Sequence, residues 1–213
     1  MRPLLFTLAL AAAVGCGPAA RPATPAAGGP ALDEAGGVRL LAVPRPTAGR
    51  VWLSVWLDAG SRDATPAQLA ALSALAIAPE GVEARALADG VELARECPAD
   101  ALAECLAPIG RALATRRVTP ARLTAALASL RAARRAVAPD PERRADALAL
   151  GALLGASADP MGDPQGDDGI DAAAIEGFLA AHFGRDRALV VAVGDVRLEA
   201  LRAAASRAFA DVP

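Results

Sequence analysis

The stretch RVWLSVWLDAGSRD, residues 50–63, decides how the rest of the chain is read. Val51, Leu53, Val55 and Leu57 alternate with Trp52, Ser54 and Trp56, the period-2 pattern of a strand with two distinct faces. A small-residue turn follows, and then DATPAQLAALSALAIAP, residues 63–79. Thr65 is placed to cap a helix there, with Pro66 at the first helical position, where its missing N–H costs nothing. After Gln68 the only side chain in that segment with a hydrogen-bonding group is Ser73. A helix apolar nearly all round belongs in a core.

Working outward, residues 37–45 alternate toward a second strand, and the intervening Pro46-Thr47-Ala48-Gly49 reads as a turn, so the two strands are expected to form a hairpin. Residues 82–89 read as a short helix, and GVELAREC, 90–97, as a strand with Val91, Leu93 and Arg95 on one face. Helices follow at about 99–115, 119–138 and 140–155, the last two opened by Thr119-Pro120 and Asp140-Pro141. Residues 157–169 read as a loop, 171–183 as a helix, 188–195 as a buried strand and 196–209 as a final helix. Helices segregated from strands predict an α+β fold, with helices packed on one face of a mixed or antiparallel sheet.

Composition bounds the chemistry. The 213 residues are 54% apolar but only 3% aromatic, so the core is built from Ala, Leu and Val. All 22 basic residues are Arg, a bias of the whole chain, and the net charge of -2 gives no case for nucleic acid as a partner. Residues 1–15 have one early charge, Arg2, then an apolar run ending in small residues before Cys16. This resembles a bacterial lipoprotein signal, which implies cleavage before Cys16, lipid on its sulfur and a membrane anchor. Gly17, where Asp would favour inner-membrane retention, implies the outer membrane, facing the periplasm. The alternative is an ordinary secretory signal with an incidental cysteine. Residues 16–36, rich in Pro, Ala and Gly, read as a flexible tether, and 37–213 as the folded domain.

Several passages together resemble the N-terminal domain of the insulinase/pitrilysin-type zinc metallopeptidases, the inverzincins, and their non-catalytic relatives. They are VRLLAVPRP with VWLSVWLDAGSRD, DPERRADALALGALL with DPMGDPQG, and FLAAHFGRDRALVVAVGDV, in the family's order and over about residues 37–213. The middle reads as shorter than usual, with one strand where catalytic members tend to have two. Catalytic members carry His-x-x-Glu-His on the helix after the Ala-Gly-Ser-Arg turn: two histidines on one face hold zinc, and the glutamate is the general base. Here those positions fall on Ser73, Ala76 and Ile77. The helix at 119–138, expected to bring a third ligand, has no acidic residue. The reading therefore calls for no cofactor, no metal site and no catalytic residue. His182 is the only histidine and has no partner cluster.

Other groups carry weaker signals. Asp159, Asp163, Asp167 and Asp168 share a Gly/Pro loop without calcium-ligand spacing, and read as a solvated turn. Arg131, Arg134 and Arg135 share a helical face, read as solvated or as a patch for an acidic partner or lipid head groups. Cys97 and Cys105 are either a disulfide, which export permits, or two buried thiols.

The resemblance implies a non-catalytic, lipid-anchored peptidase-family half-unit, or a fragment of a longer protein. Such a domain is expected to complete a chamber with a second insulinase/pitrilysin-like domain or chain, which could carry the zinc, and to bind a peptide or unfolded polypeptide. The alternatives are a structural or scaffolding lipoprotein of the envelope with no peptidase partner, and a zinc peptidase with unconventional ligands, which the absence of ligands disfavours.

Overall fold

The computed structural model describes residues 29–155 and 159–213. The signal segment, Cys16 and the tether up to residue 28 lie outside the described residues. Six strands form one mixed sheet: β1 (Ala31–Ala35), β2 (Val38–Pro44), β3 (Arg50–Leu57), β4 (Glu83–Ala86), β5 (Val91–Pro98) and β6 (Ala188–Gly194). Their spatial order is β1-β2-β6-β3-β5-β4. Only β2 and β6 run parallel; every other pair is antiparallel. Among the described residues six α-helices accompany the sheet: α1 (Gln68–Ile77), α2 (Leu102–Thr115), α3 (Pro120–Val137), α4 (Pro141–Leu154), α5 (Ala172–His182) and α6 (Leu198–Ala208). The α+β class with helices on one face is the one the element order indicates.

The alternation of β3 is realised as read. Val51, Leu53, Val55 and Leu57 are buried under the helices. Trp52 and Trp56 stand on the opposite face, Trp52 exposed and Trp56 half-buried. The core joins this stripe to Val38, Leu40, Ala42, Val190 and Ala192. Thr119 and Asp140 cap α3 and α4 as expected, accepting from Arg122 N at 3.3 Å and from Glu142 N and Arg143 N at 3.1 and 3.2 Å.

Four expectations are corrected. First, β2 and β3 do not form a hairpin, because β6 lies between them and takes the hydrogen bonds of both. The Pro46–Gly49 turn instead wraps the end of β6. Arg45 N donates to Gly194 O at 2.8 Å, and Asp195 accepts from Thr47 N at 3.2 Å and from Gly49 N. Gly194 has φ +138°, and a Cβ there would collide with the Arg50 carbonyl. Glycine meets both demands, as an L side chain would not.

Second, residues 31–35, read as tether, form β1. Gly36 and Gly37, both at positive φ, turn the chain into β2, a signature of tight hairpin turns. Asp33 is ion-paired to Arg202 of α6.

Third, residues 82–89 are not a helix. Glu83–Ala86 pair with β5 through a turn that Leu87 N closes on Gly90 O at 2.8 Å. Asp89-Gly90 is the missed turn signal, and the open edge of β5 outweighs a marginal one-turn helix. The middle of the chain therefore has two strands, not one.

Fourth, Thr65 does not cap α1. The helix opens at Gln68 after Ala67, and Leu69 N is satisfied by Pro66 O at 2.9 Å.

Candidate functional site

The Ala59-Gly60-Ser61-Arg62 turn positions α1. A Cβ on Gly60 would collide with backbone atoms of Leu87, Ala88 and Gly90, so glycine lets this turn seat on the β4–β5 turn. The Asp63 carboxylate accepts from Gly60 N at 2.9 Å and closes it. α1 then runs beneath α3 and α5, beside β4 and β5.

On that helix Ser73 and Ala76 are fully buried, and Ile77 is 4% exposed. The Ser73 hydroxyl has no hydrogen-bond partner among the described residues. Ala126 and Leu130 of α3 are buried in the same core cluster. Among the described residues no group of three or more His, Cys, Asp or Glu side chains could hold a metal ion. What α3 does supply is Arg122, whose Nη1 donates to the carbonyls of Ala76 and Ala78 at 3.2 and 2.9 Å. These acceptors lie at the C-terminus of α1, where carbonyls are unpaired and the helix dipole favours a cation.

At the other end of α1 a polar network fastens the loop 159–169. Gln68 is 1% exposed, and its Nε2 donates to Asp163 O at 2.9 Å. A Cβ on Gly162 or Gly166 would run into the Gln68 side chain, so both glycines make room for it. Asp167, 2% exposed, accepts from Arg134 Nη1 at 2.7 Å and from Arg131 Nε at 3.4 Å. Arg131 also reaches Asp168 at 3.4 Å, and Arg134 Nε donates to Met161 O at 2.9 Å. Burial pushes the Asp167 carboxyl up, but Arg134 and then Arg131 outweigh it and hold the group below its ordinary value.

Two sequence readings change here. The aspartate loop is not simply a solvated turn, since Asp167 is a buried anchor. Arg131 and Arg134 are not free for a partner, because the chain's own carboxylates hold them. The signal for both was available in outline: arginines at i and i+3 on one helix, and an aspartate-rich loop downstream. Their meeting is tertiary.

Cys97 at the end of β5 and Cys105 in α2 are joined by a disulfide with Cα atoms 6.4 Å apart, both nearly buried. His182 is half-buried with its ring against Phe178, centroids 4.6 Å apart. No helix among the described residues is long and apolar enough to cross a membrane.

The sheet's second face carries no helix among the described residues. Leu41, Val191 and Ser54 lie in one row across it, and Arg39, Leu189 and Trp56 in another. β4 at the sheet's edge pairs only with β5.

Solved structures share this architecture. A peptidase M16 inactive domain from Pseudomonas fluorescens superposes with a TM-score of 0.72 and 16% identity, over 86% of this chain and 51% of that one. The first half of the periplasmic protease PqqL from Escherichia coli gives 0.72 and 14%, over 86% and 46%. A chain of Candida albicans complex III gives 0.69 and 18%, over 80% and 44%. The chain thus spans about half the length of these three solved chains, and at these identities the likeness is one of fold. No family model matches the chain, and no curated protein matches it. The domain has the fold of an M16, pitrilysin-like half-unit.

Proposed function

We propose that this chain is a non-catalytic peptidase-family lipoprotein that binds peptide or unfolded polypeptide, closing a chamber with a second domain or chain of the same fold. The observation that carries it is α1. The helix that would hold zinc is packed on Ser73, Ala76 and Ile77 and closed by Arg122 from α3. A half-unit in that state keeps surfaces without chemistry. The edge of β4 is open to strand addition, and main-chain hydrogen bonds along such an edge bind extended chains with little regard to sequence.

A partner domain would supply the other wall and any zinc. The likeness to chains about twice as long supports this pairing. Lipidation at Cys16 and placement at the outer membrane, facing the periplasm, rest on the residues around that cysteine and on Gly17.

The test is purification of the full chain from its membrane with zinc analysis, peptidase assay and identification of co-purifying chains. The expected result is no bound zinc, no cleavage by the chain alone, and a zinc-bearing relative in the eluate. One equivalent of zinc or autonomous cleavage overturns the reading. Envelope components without any peptidase relative favour the scaffolding role instead.

A further inference from the structure

The uncovered face of the sheet has a chemistry of its own. Its centre is apolar: Leu41, Leu189, Val191, Val193 and Trp56 are only half-buried, and Trp52 is 43% exposed. At one end the floor formed by Trp56 and Leu189 dips into a recess of about 260 Å³, bounded by Asp58 and Asp89 on one side and Arg39 on the other. None of these three charged groups forms an ion pair among the described residues. That contrasts with Asp33, Glu96 and Asp167, each of which is paired to arginine.

The imbalance extends along the face. By register, Glu92 stands beside Trp56, and Glu83 lies in the row of Ser54 and Ala94. Arg39 and Arg85 are cations on the same side without an ion pair, and Arg187, also without one, reaches the Asp58 carbonyl at 3.3 Å, so three such guanidiniums stand against Asp58, Asp89, Glu92 and Glu83. Unpaired carboxylates therefore outnumber unpaired guanidiniums around an apolar, indole-bearing floor.

We infer that this face docks an extended peptide that is basic as well as apolar. A lysine or arginine side chain lies over the Trp56 indole between Asp58 and Asp89, and apolar neighbours rest on Val191, Val193 and Trp52. Each part has a reason. An indole face attracts a cation, carboxylates at the rim attract it further and steer its approach, and aliphatic residues on a bare sheet gain by leaving water. An acidic peptide meets the reverse field. The inference rests on the peptide-binding reading above and names the class of peptide.

The chain has two tryptophans, both on this face, and no tyrosine, so its intrinsic emission reports on the surface in question. The experiment titrates the full chain with a dye-labelled, glycine-spaced peptide of leucine and arginine, and with its glutamate counterpart. Anisotropy of the dye and tryptophan emission are followed together. The expected result is saturable binding of the arginine peptide with a matched change in tryptophan emission, weakened by salt, and binding of the glutamate peptide at least about tenfold weaker. D58N/D89N, exposed positions that leave the fold intact, weakens the arginine peptide about tenfold and leaves the melting temperature unchanged. Binding seen by anisotropy without a tryptophan response, or without preference for arginine, overturns this inference while sparing the peptide-binding reading. No binding of either peptide overturns both. A tryptophan shift that depends only on protein concentration assigns the face to a second copy and likewise overturns the inference.

Discussion

Arg134 of α3 and Asp167 of the loop before α5 form a buried ion pair, Nη1 to Oδ2 at 2.7 Å, and the same arginine holds the Met161 carbonyl. The pair joins segments 33 residues apart and fastens the loop over the N-terminus of α1, where Gln68 also grips it. Asp167→Ala leaves the guanidinium of Arg134, itself 13% exposed, without its carboxylate, and removing one partner of a buried pair costs about 3 kcal/mol. Urea denaturation of the two proteins measures the loss. Protease nicking near residue 165 should rise in parallel.

The same pair sets a pH dependence. Asp167 is held below its ordinary carboxyl value in the folded chain, so the unfolded chain binds its proton more readily. Its contribution is therefore complete above the ordinary carboxylate range and is lost as pH falls through the depressed folded value. Stability of the wild type should drop in acid more steeply than that of Asp167→Asn, measured by thermal melts from neutral pH down to the acid limit. Parallel curves for the two proteins would contradict this.

Arg122 closes α1 through the carbonyls of Ala76 and Ala78. Arg122→Ala removes both bonds and a cation from the helix C-terminus, with an expected cost of about 1 to 2 kcal/mol. Arg122→Lys should recover part of it through charge alone. Hydrogen exchange of the last turn of α1 should quicken in Arg122→Ala before global stability falls.

Restoring the metallopeptidase motif should fail. Ser73→His, Ala76→Glu and Ile77→His place two rings and a carboxyl in sites that are at most 4% exposed. Overpacking costs about 1–3 kcal/mol per site before any desolvation, and α3 offers no third ligand. The triple variant is expected to melt far below the wild type and to bind no stoichiometric zinc at neutral pH. A folded variant with one tightly held zinc would show that the site is better preserved than its packing indicates.

The disulfide closes a short loop, Cys97 and Cys105 being eight residues apart in sequence. Loop-closure entropy for that length gives about 2.5 kcal/mol. A double Cys→Ser variant should lose about that much in urea, and the wild type should lose it on reduction. The variant itself should be indifferent to reductant.

The residues decided some of this outright. Which side chains α1 carries, Ser73, Ala76 and Ile77 among them, is read from one segment without coordinates. The two faces of β3 and the capped starts of α3 and α4 are equally local, since each rests on a period or a spacing within one segment. Strand partners are not local. β6, distant in sequence, enters between β2 and β3 and takes the hydrogen bonds of both, so that both its edges are paired, and no spacing between residues 44 and 50 announces that. The strand at Glu83–Ala86 forms because β5 offers it an unpaired edge, although the residues alone resemble a turn of helix. Asp167 looked like one solvated carboxylate among four until α3 brought Arg131 and Arg134 over it, and burial with a partner is a property of two segments, never of one. The sequence by itself determined that α1 carries no His, Cys, Asp or Glu. Only the tertiary structure decided that this helix is packed and closed by Arg122, and that among the described residues one sheet face, with two tryptophans and carboxylates without ion pairs, carries no helix.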